Sequence, residues 1–133
     1  MSVPWGKLDQ PYQTLAGFAK THTLNPGETE TVDVCFNMES IASYDADAAR
    51  YILEAGNYIL RVGNSSRNTA PCAVIRLENT LTVRQLTNIG GKPDFTDWKP
   101  EAPAAEDITK LPVLMLDGNA FFCSGMGEAL LCL

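Results

Sequence analysis

A period of two in the apolar side chains is the feature that most constrains this fold. Residues 31–38 and 57–62 carry apolar side chains at every second position, which predicts β-strands with one buried face. Residues 72–77 and 81–86 predict two further strands, and residues 14–23 indicate another more weakly. The residues expected to face inward are Val32, Val34, Phe36, Met38, Tyr58, Leu60, Val62, Ala73, Ile75, Leu77, Leu81 and Val83.

Turn signals separate these strands. Asn-Pro-Gly-Glu at 25–28 combines a proline that presets φ with a glycine that tolerates positive φ, and residues 54–57 and 63–66 read as a turn and a loop. Residues 39–42 and 45–49 predict single helical turns, too short to stand alone. Short strands without long helices between them predict an all-β, mainly antiparallel sandwich.

Composition narrows the class of protein. The 133 residues suffice for one domain of ordinary size. A net charge of −6 argues against nucleic acid as a partner, and no apolar run reaches the ~18 residues of a membrane span. The N-terminus does not read as a signal peptide. Four widely separated cysteines predict free thiols, which favours a cytoplasmic over a secreted location.

The C-terminal third has a different composition. Residues 90–112 are rich in proline and glycine, which predicts an extended linker because proline lacks the amide donor that a central strand needs. The apolar run at 111–116 predicts either an edge strand or a docking segment. The apolar end at 120–133 reads as a cut or an altered reading frame. We therefore predict a sandwich over 1–89 and a linker with a docking segment over 90–133.

A series of motifs over residues 11–67 resembles the fibronectin type III-like domain of family 3 glycoside hydrolases. After Pro11 these motifs are Leu-Ala-Gly-Phe-Ala-Lys at 15–20, Leu-Asn-Pro-Gly-Glu at 24–28, Val-Asp-Val-Cys-Phe at 32–36, Ser-Tyr-Asp at 43–45, Leu-Glu-Ala-Gly-Asn-Tyr at 53–58 and Val-Gly-Asn-Ser-Ser-Arg at 62–67. The resemblance implies an immunoglobulin-like antiparallel sandwich. We also expect a positive φ at Gly56 and a backbone partner for the Tyr58 hydroxyl, as in tyrosine corners.

The resemblance also implies a function and partners. In that family the module is not catalytic, so the chain is expected to brace the catalytic domains of a beta-glucosidase-type enzyme. About ten residues precede Pro11, where the family has one or two strands. We therefore expect a missing early strand, an open sheet edge with possible self-association, and a chain that is an internal fragment of a longer enzyme.

The sequence offers little for catalysis. Retaining glycosidases need two carboxyl groups ~5–5.5 Å apart, and in the family other domains supply both. Asp97, in Thr96-Asp97-Trp98, superficially resembles the nucleophile segment but lies in the predicted linker, where we expect a solvated carboxylate. One histidine, His22, gives a catalytic triad or a zinc site little to draw on. Asp45 and Asp47 are too few oxygen ligands for calcium. No catalytic, metal-binding or cofactor-binding residue is expected.

Three aromatic residues, Trp5, Tyr12 and Trp98, lie outside the central strands. They are expected either to stack on glucosides or oligosaccharides, which would make the chain a carbohydrate-binding module, or to cover a neighbouring domain. The resemblance favours the second use. The residues predicted to form an interdomain contact are Tyr44, Asp45, Asn64, Ser65, Arg67 and Trp98.

Overall fold

The computed structural model describes residues 1–91, 94–95, 98–99, 101–102 and 104–116, and the backbone of residues 130–132. The strands in this part of the chain are β1 (Cys35–Asn37), β2 (Ser43–Asp45), β3 (Arg50–Leu53), β4 (Gly56–Ser65), β5 (Asn68–Leu77), β6 (Leu81–Gln85), β7 (Val113–Leu116) and β8 (Leu130–Cys132). One 3-10 turn, Met38–Ile41, follows β1, close to the helical turn predicted at 39–42.

Three sheets organise these strands. The first has the order β4-β5-β7 and the second the order β2-β3-β6, while β1 pairs with β8. Every pairing is antiparallel except β5 with β7, which is parallel. The predicted all-β, mainly antiparallel class is confirmed. The apolar run at 111–116 contains an edge strand, one of the two outcomes that the sequence left open.

The core follows the predicted period of two. Phe36 and Met38 are buried, whereas Cys35 before them is exposed and Asn37 between them is only partly buried, because successive side chains of an extended segment point to opposite faces. The main core cluster comprises Met1, Val3, Phe36, Met38, Ile41, Leu53, Tyr58, Leu60, Ala73, Ile75 and Leu77. Each large side chain in it stabilises the fold by roughly 1.5–3 kcal/mol relative to an exposed position.

Three predictions about strands need correction. Residues 14–23 form no strand, and in 31–38 only Cys35–Asn37 does. A strand needs a ladder of hydrogen bonds to a partner strand, and among the described residues neither 14–23 nor 31–34 is part of such a ladder, although Gly17 lies close to residues 34–36. Val62 is 63% exposed because residues 62–68 at the distal end of the β4-β5 hairpin are exposed on both faces.

The first three residues partly cover the sheet edge that was expected to be open. Among the described residues no strand precedes β1, but an isolated bridge joins Ser2 to Ile59 of β4, with two hydrogen bonds of 2.9 Å. This bridge buries Met1 and Val3 in the core. The lead-in, residues 1–13, is therefore part of the fold.

The turns predicted at 25–28 and 54–57 are present, but the loop predicted at 63–66 is wrong, since residues 63–65 belong to β4 and the hairpin turn lies at 66–67. The 25–28 turn is closed by a 3.0 Å hydrogen bond from the Glu28 amide to the Asn25 carbonyl. Gly56 has a φ of 143°, which confirms the expected positive φ, and a Cβ at this position would lie 2.6 Å from the Pro4 Cβ. Residues 46–49, where a helical turn was predicted, instead form the reverse turn between β2 and β3. Among the described residues, no helix is long and apolar enough to cross a membrane.

Candidate functional site

A partly buried cluster of polar groups ties the lead-in to the sheet. We call it the polar corner, and its members are Lys7, Asp45, Arg50, Glu54 and Tyr58. The Lys7 Nζ donates to both carboxylate oxygens of Asp45, at 2.9 and 3.0 Å. The Asp45 side chain is only 1% exposed, and the Arg50 Nε lies 3.6 Å from its Oδ2. The Lys7 ammonium beside Asp45 lowers the pKa of that carboxyl below its ordinary value.

Glu54 forms the second half of the polar corner. Its carboxylate accepts hydrogen bonds from the backbone amides of Lys7, at 2.6 Å, and Leu8, at 3.2 Å. Gly6 lies against the same carboxylate, and a Cβ there would come within 2.6 Å of the Glu54 Oε1, so a larger residue would push the lead-in away. The corner thus fixes the path of the chain immediately after Trp5.

Tyr58 completes the corner from β4. Its ring is 2% exposed, and its hydroxyl donates a 2.8 Å hydrogen bond to the Glu54 carbonyl oxygen, which confirms the expected backbone partner. Burial raises the pKa of the Tyr58 hydroxyl, so the group remains a donor. The Asp45 and Glu54 carboxylates and the Tyr58 hydroxyl are each hydrogen-bonded within the corner or to backbone, whereas the buried Arg50 Nε approaches Asp45 without forming a hydrogen bond. The corner is therefore a structural device.

The three aromatic residues singled out in the sequence come together in one place. A cleft of about 500 Å³, which we call the aromatic cleft, is lined by Trp5, Asp9, Gln10, Pro11, Tyr12, Trp98 and Glu101. Its volume falls within the ~300–1,000 Å³ that is typical of small-molecule sites. Trp98 is 83% exposed and Tyr12 is 52% exposed, so the apolar rings of this cleft are accessible to solvent.

Neighbouring groups hold the polar and aromatic walls of the cleft. Gln10 is 6% exposed, and its carboxamide oxygen accepts a 2.8 Å hydrogen bond from the Ser43 hydroxyl. The Tyr12 ring lies 5.7 Å from the Arg61 guanidinium carbon, in a cation–π arrangement. The Tyr12 hydroxyl also donates to Glu106 at 3.3 Å, and Glu106 forms an ion pair with Arg61. Most of this wall is therefore preorganised.

The far wall of the cleft is linked to the lead-in by charge. The Lys99 Nζ, next to Trp98, lies 3.8 Å from the Asp9 Oδ2. Both side chains are partly exposed, at 75% and 48%, and such exposed pairs contribute about 0–1 kcal/mol. The Trp98 side of the cleft is consequently held more weakly than the Tyr12 side.

The residues predicted to form the interdomain contact lie in three places. Tyr44 is on β2, with its ring centroid 5.3 Å from that of Tyr51, and Trp98 lines the aromatic cleft. The remaining exposed members, Asn64, Ser65 and Arg67, lie at the tip of the β4-β5 hairpin. Asp45 differs from all of these because its carboxylate is buried, so its contribution to a contact would be to hold the loop that follows it.

Exposed apolar residues lie in two segments, of which 111–116 was expected to be an edge strand or a docking segment and 14–23 was expected to be a strand. Val113, Leu114 and Met115 on the edge strand β7 are 49%, 42% and 57% exposed. Leu15 and Phe18 are 78% and 77% exposed, although residues 14–23 were expected to form a strand with one buried face. The weak alternation of that segment was the signal that its apolar residues need not face the core.

His22 and Asp47, which the sequence analysis considered for catalysis or metal binding, are surface residues. His22 lies 3.3 Å from the Glu28 carboxylate and 2.9 Å from that of Glu30, and all three side chains are partly exposed, so His22 is a surface residue as expected. Asp47 is 75% exposed. Within the described ranges, no group of three or more histidine, cysteine or acidic side chains is arranged to hold a metal ion. Thr96 and Asp97 lie outside the described residues.

Comparison with known proteins identifies the domain. Residues 1–66 match the model of a family described as the fibronectin type III-like domain. A stretch of 44 residues is 50% identical to beta-glucosidase A of Butyrivibrio fibrisolvens, and it covers 33% of this chain but 5% of that protein. This chain therefore corresponds to a small part of its relative. No solved structure matches the chain at a significant level. Residues 1–66 are therefore similar to a fibronectin type III-like domain, which confirms the resemblance that the motifs predicted.

Proposed function

We propose that this chain is a non-catalytic accessory domain that braces the catalytic domains of a family 3 beta-glucosidase. The observation that carries the proposal is the pair of matches on the same chain. Residues 1–66 match a fibronectin type III-like domain, and 44 residues are 50% identical to a protein named beta-glucosidase A. A module that recurs inside a much larger enzyme has neighbouring domains as its natural partners.

The state of the buried carboxylates supports a non-catalytic role. A retaining glycosidase uses one carboxylate as nucleophile and another carboxyl as acid and base, and both must reach the sugar. In the polar corner, Asp45 is covered and paired with Lys7, while Glu54 is occupied by two backbone amides. Neither carboxylate is placed to attack a substrate.

The exposed apolar residues of β7 supply a surface for bracing. An edge strand presents unpaired backbone donors and acceptors, and β7 adds three large apolar side chains, Val113, Leu114 and Met115, to that edge. Because successive side chains of a strand point to opposite faces, Val113 and Met115 share one face of the edge and Leu114 lies on the other. Exposed apolar side chains beside an open strand edge favour contact with another protein surface. We assign this surface to contact with a catalytic domain of the parent enzyme.

The test uses the complete beta-glucosidase that carries this sequence. Met115→Asp places a charge at the centre of the β7 surface. We expect it to lower the thermal midpoint of the complete enzyme and its rate of aryl β-glucoside hydrolysis. The isolated 133-residue chain should keep its urea midpoint, since Met115 is exposed in it. Asn79→Asp is the matched control, because it adds the same charge at an exposed position away from β7.

Two outcomes would overturn the proposal. One is a complete reading frame that holds no glycosidase domain. The other is a complete enzyme in which Met115→Asp and Asn79→Asp behave alike.

A further inference from the structure

We infer that the aromatic cleft is a binding site for the pyranose ring of a β-glucoside or gluco-oligosaccharide. The cleft gathers both tryptophans of the chain and Tyr12 around one volume of about 500 Å³. Trp5 and Trp98 are far apart in sequence, so this meeting is a product of the fold. Exposed rings without an apolar partner are costly in water, and a ligand with a flat apolar face relieves that cost.

The shape of a gluco-configured ring matches such a site. Its hydroxyl groups are equatorial, so both faces of the ring present C–H groups that stack on aromatic side chains. The accessible rings of Trp98 and Tyr12 offer that kind of surface. A ring with an axial hydroxyl has one polar face and fits stacked aromatics less well.

The polar groups of the cleft match the rim of a sugar. Asp9 and Glu101 bring carboxylate oxygens to its lining, and ionised carboxylates accept strong hydrogen bonds from hydroxyl groups. The Ser43 hydroxyl engages only the oxygen of the Gln10 carboxamide, which leaves the amide NH₂ as a donor. Acceptors and donors thus surround an apolar surface, the usual arrangement of a small-molecule site.

The lead-in wall of the cleft is held before any ligand arrives. The polar corner fixes the chain on the C-terminal side of Trp5 through Lys7 and Glu54, and Arg61 with Glu106 orients the Tyr12 ring. Preorganised side chains lose less conformational entropy on binding. Trp98, on the more weakly held wall, is free to adjust to the ring.

The choice of a gluco-configured sugar rests on the proposed function, whereas the site itself does not. Trp98 also belongs to the predicted interdomain contact, so a catalytic domain is the competing occupant of the cleft. The titration below concerns the isolated chain and the Met115→Asp test concerns the complete enzyme, so one proposal can fail while the other holds.

The experiment is a titration of the 133-residue chain with cellobiose and with methyl β-glucoside, followed by intrinsic fluorescence. Since both tryptophans line the cleft, the signal reports on this site. We expect a saturable change for the wild type and a loss of affinity of at least about tenfold for Trp98→Ala, equivalent to about 1.4 kcal/mol. Trp98→Phe should retain most of the affinity. Methyl β-galactoside, with its axial hydroxyl, should bind several-fold more weakly.

A control variant of the same chain tests whether the effect on binding is specific to the cleft. Phe95→Ala removes an aromatic ring that is 70% exposed and lies outside the cleft lining, and it should leave the titration unchanged. Equal urea midpoints for the variants show that each is folded. No saturable signal at sugar concentrations well above about 1 mM, or equal affinities for Trp98→Ala and Phe95→Ala, would overturn the inference and leave Trp98 to a domain contact.

Discussion

The polar corner and the aromatic cleft are built from the same segment, the lead-in, yet they are opposite in character. In the corner, Lys7 meets a carboxylate that is 1% exposed, and Tyr58 is 2% exposed. In the cleft, Tyr12 and Trp98 are 52% and 83% exposed. A segment of 13 residues thus serves both to hold the fold and to present a surface.

This difference separates the residues that stabilise the fold from the residues that are available for binding. Removing one partner from a buried, paired polar group leaves the other without a partner, which costs free energy of folding. Removing an exposed ring costs little. Substitutions in the corner should therefore unfold the chain more easily, while substitutions in the cleft should change only what the chain binds.

The largest effect is expected at Tyr58. Tyr58→Ala removes a ring that is 2% exposed and should lower the free energy of unfolding by about 3–5 kcal/mol, as other large-to-small core substitutions do. Tyr58→Phe keeps the ring and removes only the hydrogen bond to the Glu54 carbonyl, so a loss of about 1–2 kcal/mol is expected. Urea denaturation followed by circular dichroism measures both.

Tyr44→Ala is the control for that pair. Its ring is 41% exposed and contacts Tyr51 at the surface, so a loss below about 1.5 kcal/mol is expected. A Tyr44→Ala variant as unstable as Tyr58→Ala would contradict the view that the corner, and not aromatic content as such, holds the fold.

A smaller loss is expected at Glu54. Glu54→Gln replaces one acceptor oxygen by an NH₂ group that faces a backbone amide, so the backbone amide of Lys7 or Leu8 is left unpaired. A partly buried donor without a partner should cost about 1–3 kcal/mol of unfolding free energy. Glu78→Gln makes the same chemical change at an exposed position, and equal urea midpoints for the two variants would argue against an anchoring role for Glu54.

The features of the fold that the sequence predicted are those determined by residues that are close together along the chain. β4 and β5 form a hairpin, so the alternation around Tyr58 and Ile75 and the positive φ at Gly56 follow from local patterning. The predicted strand at 14–23 was wrong because its existence depends on a distant partner, and no strand in the described part of the chain pairs with it. The parallel pairing of β7 with β5 depends in the same way on the path of residues 78–112.

The features of the candidate site also fall into those that local sequence patterns predict and those that depend on distant contacts. Trp5, Tyr12 and Trp98 were predicted as exposed aromatics from their position outside the strands, since local patterning suffices for that. Their meeting in one cleft was not predicted, because it depends on where the chain after β6 returns. The polar corner was missed except for the Tyr58 hydrogen bond, since no short motif links Lys7 to the aspartate at the end of β2.

Acid should weaken the corner through Asp45. Lys7 lowers the pKa of Asp45 from its ordinary value of 3.8, so the folded state binds a proton less readily than the unfolded state. The ion pair therefore contributes its full stabilisation above about pH 4, and this contribution is lost as the pH falls through the lowered pKa. We expect Asp45→Asn to be less stable than the wild type at neutral pH and the difference to shrink below pH 4.

The matched control for this titration is Asp47→Asn. Asp47 is 75% exposed and lies 3.8 Å from the same lysine, so it carries a comparable formal charge without burial. Urea midpoints measured from about pH 7 down to about pH 2.5 should approach the wild-type values for Asp45→Asn as the pH falls and stay parallel to the wild type for Asp47→Asn. A constant difference between the wild type and Asp45→Asn across that range would contradict the assignment.

The smallest effect on stability is expected at Trp98, where the effect on sugar binding is expected to be largest. Trp98 is 83% exposed, so Trp98→Ala should change the free energy of unfolding by no more than about 0.5 kcal/mol, the usual range for surface substitutions. Urea denaturation of this variant beside Tyr58→Ala places the two regions on one scale. A loss of several kcal/mol at Trp98 would mean that the ring packs as part of the core, and the cleft would then be an element of the fold instead of a surface offered to a ligand.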